Sequence, residues 1–260
     1  MLNKLLLKQA NRLIAINKQI KINYSKLGIS ETRVVYIPNG VDTKKFCPAA
    51  NKEALRKKLG LPLNTTILIF TGRLMKQKGL DTLIKAFAKL ESIYDNVFLL
   101  VVGGVNVDVG IGNTKQREAD LNKKAWAVTL GEACDKAANA GVKNIKFTGF
   151  VDNVADFLAA SDIFVFPSLT EGMSNSLLEA MSCGLAIVAS DIAANTAVVE
   201  DGTTGLLFEV KDAGKLLACL IKLLENPLKL KKLAKAARIE VKKKYGLEQV
   251  LNKYLELITQ

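Results

Sequence analysis

The 260-residue sequence contains no histidine, which removes a Ser-His pair, a Cys-His pair and the commonest metal ligand together. Its four cysteines, Cys47, Cys134, Cys183 and Cys219, are scattered without C-x-x-C pairing. That spacing suits neither a metal clip nor a disulfide framework, and it reads as reduced thiols in a cytoplasmic protein. Long apolar runs are missing as well. Between Met1 and Ile22 the apolar positions Leu5, Leu6, Ile14, Ile16, Ile20 and Ile22 are interrupted by Lys4, Lys8, Arg12, Lys18 and Lys21. Neither a signal peptide nor a transmembrane helix is expected there. There is no internal repeat, no low-complexity tract, no Asp-x-Asp metal motif and no Walker loop. Any chemistry must run on carboxylates, basic groups and backbone amides.

An apolar content of 49% is ample for a buried core. Lys and Arg total 37 against 25 Asp and Glu, a formal charge of +12. Such a balance points to an anionic partner: nucleic acid, an acidic membrane face or a phosphorylated substrate. Charge alone does not choose among them.

From Thr66 onward short β-branched runs alternate with helix-like stretches. The runs are Ile67–Thr71, Phe98–Val102, Ile145–Thr148, Ile163–Phe166, Ile187–Ala189 and Leu206–Phe208. Helical spacing lies between most of them, as at Leu80, Leu83, Ile84, Phe87 and Leu90. Continuous apolar strands alternating with helices predict an α/β, Rossmann-like, doubly wound parallel sheet. Residues 43–226 form that domain. Residues 1–42 read as helix, short strand and linker, closing on the turn Pro38-Asn39-Gly40-Val41-Asp42, where an Asn-Gly pair accommodates positive φ. Residues 227–260 form a C-terminal helical segment, started by Pro227 and interrupted near Tyr245-Gly246. The stretch from Gly103 to Asn144, with Trp126 and Cys134, is a long insertion at a strand's carboxyl end.

Ligands of open parallel sheets bind beyond the carboxyl ends of the strands. After the first run comes Gly72-Arg73-Leu74-Met75-Lys76-Gln77-Lys78-Gly79, an arginine and a lysine beside a glycine turn that opens a helix. A guanidinium fork, an ammonium and helix amides can hold a diphosphate. After Ile163–Phe166 comes Pro167-Ser168-Leu169-Thr170-Glu171, then Gly172, Met173, Ser174, Asn175 and Ser176, whose amides open a helix, and then Glu179 about one turn inside it. A loop carboxylate can accept from sugar hydroxyls, and a helical one can grip a ribose diol. Plainer readings stand beside these. Arg73 and Lys78 also fit a solvated loop, Glu171 a partner of the helix macrodipole, and Glu179 a capping box with Ser176. At Phe147-Thr148-Gly149-Phe150-Val151 a strand ends on a glycine where a flat base could lie against backbone, although the aromatic residues suit the core better. Asp191 is a weaker candidate at a strand end.

Together, Gly72-Arg73 with Lys78-Gly79, the Glu171-x7-Glu179 pattern in EGMSNSLLEAMSCGLAIVASD, and the segments around Asn39, Phe147–Phe150 and Asp201–Leu207 resemble the retaining glycosyltransferases of family 4, which have the GT-B fold. The resemblance covers about residues 33 to 225. It implies transfer of a sugar from a nucleoside diphosphate sugar, such as a UDP or GDP sugar, to an acceptor glycan or lipid-linked sugar with retention, in polysaccharide or glycolipid biosynthesis. It makes Arg73 and Lys78 the diphosphate clamp, Glu171 the contact to the donor sugar and Glu179 the ribose ligand. Amides near Ser174, Asn175 and Ser176 would hold the distal phosphate, and the backbone near Phe150 and Val151 would read the base. No metal and no cofactor are expected.

Members of that family carry an N-terminal Rossmann-like domain that supplies the acceptor site, and here only its last helix and strand are matched. The expectation is a donor-binding C-terminal half that needs an N-terminal half for activity, whether as a fragment, a split enzyme's subunit or a degenerate copy. The alternative is a non-catalytic nucleotide-sugar-binding subunit. The basic run Lys229, Lys231, Lys232, Lys235, Arg238, Lys242, Lys243 and Lys244 raises a more remote alternative, nucleic-acid binding, but no recognisable module accompanies it. The same helix suits an anionic membrane surface, so a cytoplasmic chain peripheral to the inner face of the plasma membrane is a further expectation.

Overall fold

The computed structural model describes residue 7, residues 9–104 and residues 131–259, with Lys18 described by its backbone alone. The chain enters through β1 (Leu13–Ala15), α1 (Lys18–Lys26) and β2 (Val34–Tyr36), and the two strands pair in parallel. The sequence had suggested helix then strand. The three-residue β1 is too short to alternate visibly, and the earlier part of the expected helix lies outside the described residues.

The main domain follows: α2 (Lys52–Leu59), β3 (Thr66–Thr71), α3 (Leu80–Glu91), β4 (Val97–Val102), β5 (Ile145–Gly149), α4 (Val154–Ala160), β6 (Ile163–Phe166), α5 (Asn175–Ser182), β7 (Ala186–Ser190), the short α6 (Ala193–Thr196), β8 (Leu206–Phe208), α7 (Ala213–Leu224), α8 (Pro227–Tyr245) and α9 (Leu247–Thr259). Six strands form one parallel sheet in the order β5-β4-β3-β6-β7-β8. All six apolar runs became strands: β3, β4, β6 and β7 are buried on both faces, as continuous apolar runs in a parallel sheet should be, while the edge strand β5 is only partly buried. Their side chains divide with period two. Leu68, Phe70, Ile163 and Val165 enter the core under α3 and α7, whereas Ile67, Ile69, Phe164 and Phe166 enter the core under α5 and α8. Phe70, Phe164 and Phe166 are fully buried, and each such side chain contributes about 2–3 kcal/mol by leaving water.

Local signals fix the helix starts. Asn51, Asp212 and Asn226 each accept a hydrogen bond from an amide of the first turn of α2, α7 and α8, and Pro227 takes the first position of α8. The break between α8 and α9 has a tertiary cause. Val41 donates its amide to the Tyr245 carbonyl at 2.8 Å and accepts from the Leu247 amide at 2.9 Å, so the front turn takes the backbone bonds the helix would have used. That packing also corrects the expectation of positive φ at Asn39-Gly40. Gly40 is not among the positive-φ glycines. It is needed because a side chain there would press on Leu247 and Val250 of α9 at 3.3 Å.

The insertion from Gly103 to Asn144 is described only at its ends, and Trp126 lies outside the described residues. Residues 131–139 are helical, with Ala133 and Ala137 buried against the α3 side of the core.

Gly79 has φ +68°, and a Cβ there would overlap the Pro167 carbonyl. Gly79→Ala is therefore expected to lower unfolding free energy by about 3 kcal/mol or more. Gly131→Ala, at a helical position with open space around it, should be neutral or stabilising by up to about 1 kcal/mol. Urea denaturation of the two variants provides the comparison.

Candidate functional site

Strand order reverses between β3 and β6, and the crevice at the carboxyl ends of such strands is where open parallel sheets hold ligands. Two loops meet there. The loop after β3 tightens into a 3-10 turn at Lys76–Lys78, and Leu169 of the loop after β6 donates its amide to the Gln77 carbonyl at 2.7 Å. Close contact between Gly79 and Pro167 completes the junction. These contacts bring Lys78 Nζ to 2.6 Å from Glu171 Oε1, with the two side chains only 18% and 13% exposed. The same ammonium lies 5.4 Å from the centre of the Phe166 ring, a cation–π contact. Gly72 borders the Lys78 stem. Arg73, in the same loop, is exposed and has no partner among the described residues.

The first helical turn after β6 supplies the second component. Ser174 is the N-cap of α5 and its hydroxyl accepts from the Leu177 amide at 3.4 Å. Among the described residues, the amides of Gly172, Met173, Ser174, Asn175 and Ser176 have no hydrogen-bond acceptor. Free donors at the positive end of a helix dipole are groups able to bind an anion. With Ser174 as the cap, the proposed Ser176–Glu179 capping box does not form. Glu171 likewise answers to Lys78 rather than to the helix dipole alone.

Glu171 and Gly172 also line a cleft of about 430 Å³ whose other walls are Asn17 and Ile22 of the front unit and Ile192, Ala193 and Thr196. Asn17 Nδ2 donates to the Gly172 carbonyl at 2.6 Å. Asn39 Nδ2 donates to Asn175 Oδ1 at 2.8 Å, and its amide faces Met173 Sδ. The front turn therefore buttresses the loop that carries Glu171. Sequence reasoning missed Asn17 and Asn39 as site neighbours. Their partners stand 155 and 136 residues away, beyond any local pattern, although the Pro-Asn-Gly turn was visible. Also missed were Thr71 Oγ1, Ser168 Oγ and Asn195 Oδ1, three buried atoms without a hydrogen-bond partner, all at the carboxyl edge.

Other expected site residues lie outside that cleft. Glu179 sits one turn into α5, and its carboxylate makes no hydrogen bond among the described residues. Burial pushes its carboxyl above the ordinary glutamate range, and the nearby Lys45 pulls it partly back. Phe150 is 69% exposed, correcting its assignment to the core. Gly149, with φ +75°, turns the chain outward at the end of the edge strand, while Val151 packs back onto the core. Asp191 accepts from the Val210 amide at 3.2 Å, a structural contact.

A family model described as glycosyl transferases group 1 matches residues 51–240. The chain belongs to that family. A relative from Escherichia coli, UDP-Gal:alpha-D-GlcNAc-diphosphoundecaprenol alpha-1,3-galactosyltransferase, is 29% identical over 255 residues, covering 96% of this chain and 60% of the relative. The chain thus spans about three fifths of that relative's length. Among solved structures, Anabaena Alr3699/HepE in complex with UDP and glucose superposes with TM-score 0.81 at 21% identity, over 96% of this chain and 63% of that one. The C-terminal domain of the group 1 protein LpcC from Francisella tularensis is 28% identical with TM-score 0.64, covering 80% of this chain and 100% of that domain. The Rossmann-like reading of the sequence is borne out.

The raised Glu179 carboxyl makes a pH prediction. A folded-state value above the unfolded one means the folded chain holds the proton longer, so stability falls as pH rises from the ordinary glutamate value through the raised one. Glu179→Gln should raise the melting temperature at neutral pH and leave it unchanged at a pH where both states are protonated. Melting curves across that range give the result.

Proposed function

We propose that the chain is the donor-binding half of a retaining glycosyltransferase, moving a sugar from a nucleoside diphosphate sugar to an acceptor once an acceptor-binding half completes the site. The carrying observation is the Lys78–Glu171 pair at the switch point beside the free amides of α5. A diphosphate at those amides competes with Glu171 for Lys78. Arg73, exposed and unpartnered, swings in as the second cation. Glu171, released, accepts from hydroxyls of the donor sugar, so one ion pair exchanges for two contacts to substrate. As the glycosidic bond loosens, negative charge grows on the leaving diphosphate. Lys78, Arg73 and the amides of Ser174, Asn175 and Ser176 stabilise that charge more than the ground state, with no metal required. Glu179 serves as ribose ligand, its unsatisfied carboxylate gaining donors on binding, and the exposed backbone at Phe150 and Val151 reads the base.

The need for a second half is supported by α9. Leu247, Leu251, Leu255 and Ile258 recur on one helical face and are 44%, 51%, 59% and 77% exposed, a stripe that globular helices bury. The relatives' additional length is the natural source of its cover. If that half is a separate chain, this one is a nucleotide-sugar-binding subunit, which is the second reading.

Isothermal calorimetry with UDP, GDP and their sugars tests the donor site. Binding of at least one of these is expected, weakened about tenfold or more by Arg73→Ala and by Lys78→Ala, since each removes a charge-assisted hydrogen bond. Absence of binding to all of them, or full affinity in both variants, would refute the assignment. Sugar transfer by this chain alone would remove the need for a second half while leaving the donor site intact.

A further inference from the structure

α8 buries one face and gives the other to solvent in an unusual composition. Leu233, Ala234, Ala237, Val241 and Tyr245 are buried. On the opposite side, five lysines (Lys231, Lys232, Lys235, Lys242 and Lys243) share an arc of about 120° at 3.6 residues per turn. Near the centre of that arc stand Leu228 and Ile239, 81% and 58% exposed. No acidic side chain falls within it. The helix's one acid, Glu240, pairs with Lys244 off to the side.

A face that is merely solvated interleaves opposite charges, as α2 does with Glu53 and Lys57. α8 does the opposite. Lys231 and Lys235 stand at the i,i+4 spacing that destabilises like charges, and Lys229 sits in the first turn, where the helix dipole disfavours a cation. Contact with the Lys222 amine holds the Lys229 ammonium below the ordinary lysine range. An anionic surface relieves each of these repulsions, and an apolar layer behind it takes up the two exposed side chains.

We propose that this face of α8 docks on an anionic lipid bilayer, Leu228 and Ile239 entering the interface while the flanking lysines meet phosphate headgroups. Apolar residues along the centre of a basic face are the arrangement of an interfacial helix. A nucleic-acid surface has no use for them at that position, because its backbone presents phosphates and sugars. Leu228 and Ile239 are eleven residues apart, about 16 Å along the axis, so the contact spans several headgroups. No helix among the described residues is long and apolar enough to cross a membrane, and this surface supplies a reversible attachment in its place. The inference stands on α8 alone and does not rest on the donor assignment.

Co-sedimentation with vesicles tests it, using equal parts phosphatidylcholine and phosphatidylglycerol against phosphatidylcholine alone. The chain is expected to pellet with the anionic vesicles and to be released by salt. Each lysine at a charged surface is worth about fivefold in partitioning, so K232E/K235E/K242E should lose at least about 100-fold. Leu228→Ser with Ile239→Ser should weaken binding to the same vesicles with every lysine in place. The lysine variant is expected to melt at or above the parent temperature, since it relieves the Lys231–Lys235 repulsion, and the serine variant close to it. Both keep the parent response to nucleoside diphosphates, which separates this result from any failure of the donor site. Equal retention on neutral vesicles would overturn the proposal, as would full binding by either variant. Capture by a single-stranded RNA homopolymer without vesicle binding would also overturn it.

Discussion

Lys78 and Glu171 come from loops at opposite sides of the strand reversal, so their 2.6 Å contact joins the two halves of the sheet at its carboxyl edge. It depends on Gly79 reaching the Pro167 carbonyl, on the Leu169–Gln77 backbone bond and on Phe166 beneath the ammonium. Those in turn depend on β3 and β6 lying side by side. An exposed pair of this kind contributes about 0–1 kcal/mol. With both side chains more than four fifths buried, removing either partner instead leaves a charge poorly solvated. On the proposed reading, the pair holds two charges ready for a substrate rather than serving as a source of stability. In the proposed reaction, a diphosphate neutralises Lys78 in place of Glu171, and the carboxylate becomes available where the sugar arrives.

The surroundings fit that role. The amides from Gly172 to Ser176 lack acceptors, and Asn17 and Asn39 fix the loop from the side of the front unit. Glu179 sits partly buried with its carboxyl held above the ordinary range. The free amides and the partly buried Glu179 are local departures from maximal stability, and they lie beside the same buttressed loop of an otherwise well-packed sheet. Such concentration of unsatisfied groups is the expected mark of a ligand site.

Much of this was legible in the sequence, for identifiable reasons. Ile163–Phe166 and Leu206–Phe208 match the observed strands end to end because fully buried parallel strands are continuous apolar runs. Lys78 and Glu171 could be named because chain topology alone places both after neighbouring strands. Their direct contact could not, since it depends on a glycine fitting under a carbonyl. β1 was invisible at three residues within a basic stretch. The helix start near Ser174 or Asn175 was legible in the sequence, and only the alternative cap at Ser176 fails, because Ser174 and Ser176 are both competent caps and the fold chooses the first. Phe150 was assigned inward on hydrophobicity, whereas its place just beyond an edge strand turns it out. Asn17 and Asn39 act across more than a hundred residues, a distance at which no periodicity speaks.

Three surfaces divide the molecule: the carboxyl edge with its charges and free amides, the exposed stripe of α9 and the basic face of α8. The first carries the account, and its central claim is an exchange of partners at Lys78. A crystal structure of the chain with bound nucleoside diphosphate tests that claim most directly. The account predicts Lys78 Nζ within hydrogen-bond distance of a phosphate oxygen, Arg73 drawn onto the diphosphate, and Glu171 detached and facing the space beyond the distal phosphate. A nucleotide bound elsewhere, or one bound at this edge with the Lys78–Glu171 pair still closed, would contradict it.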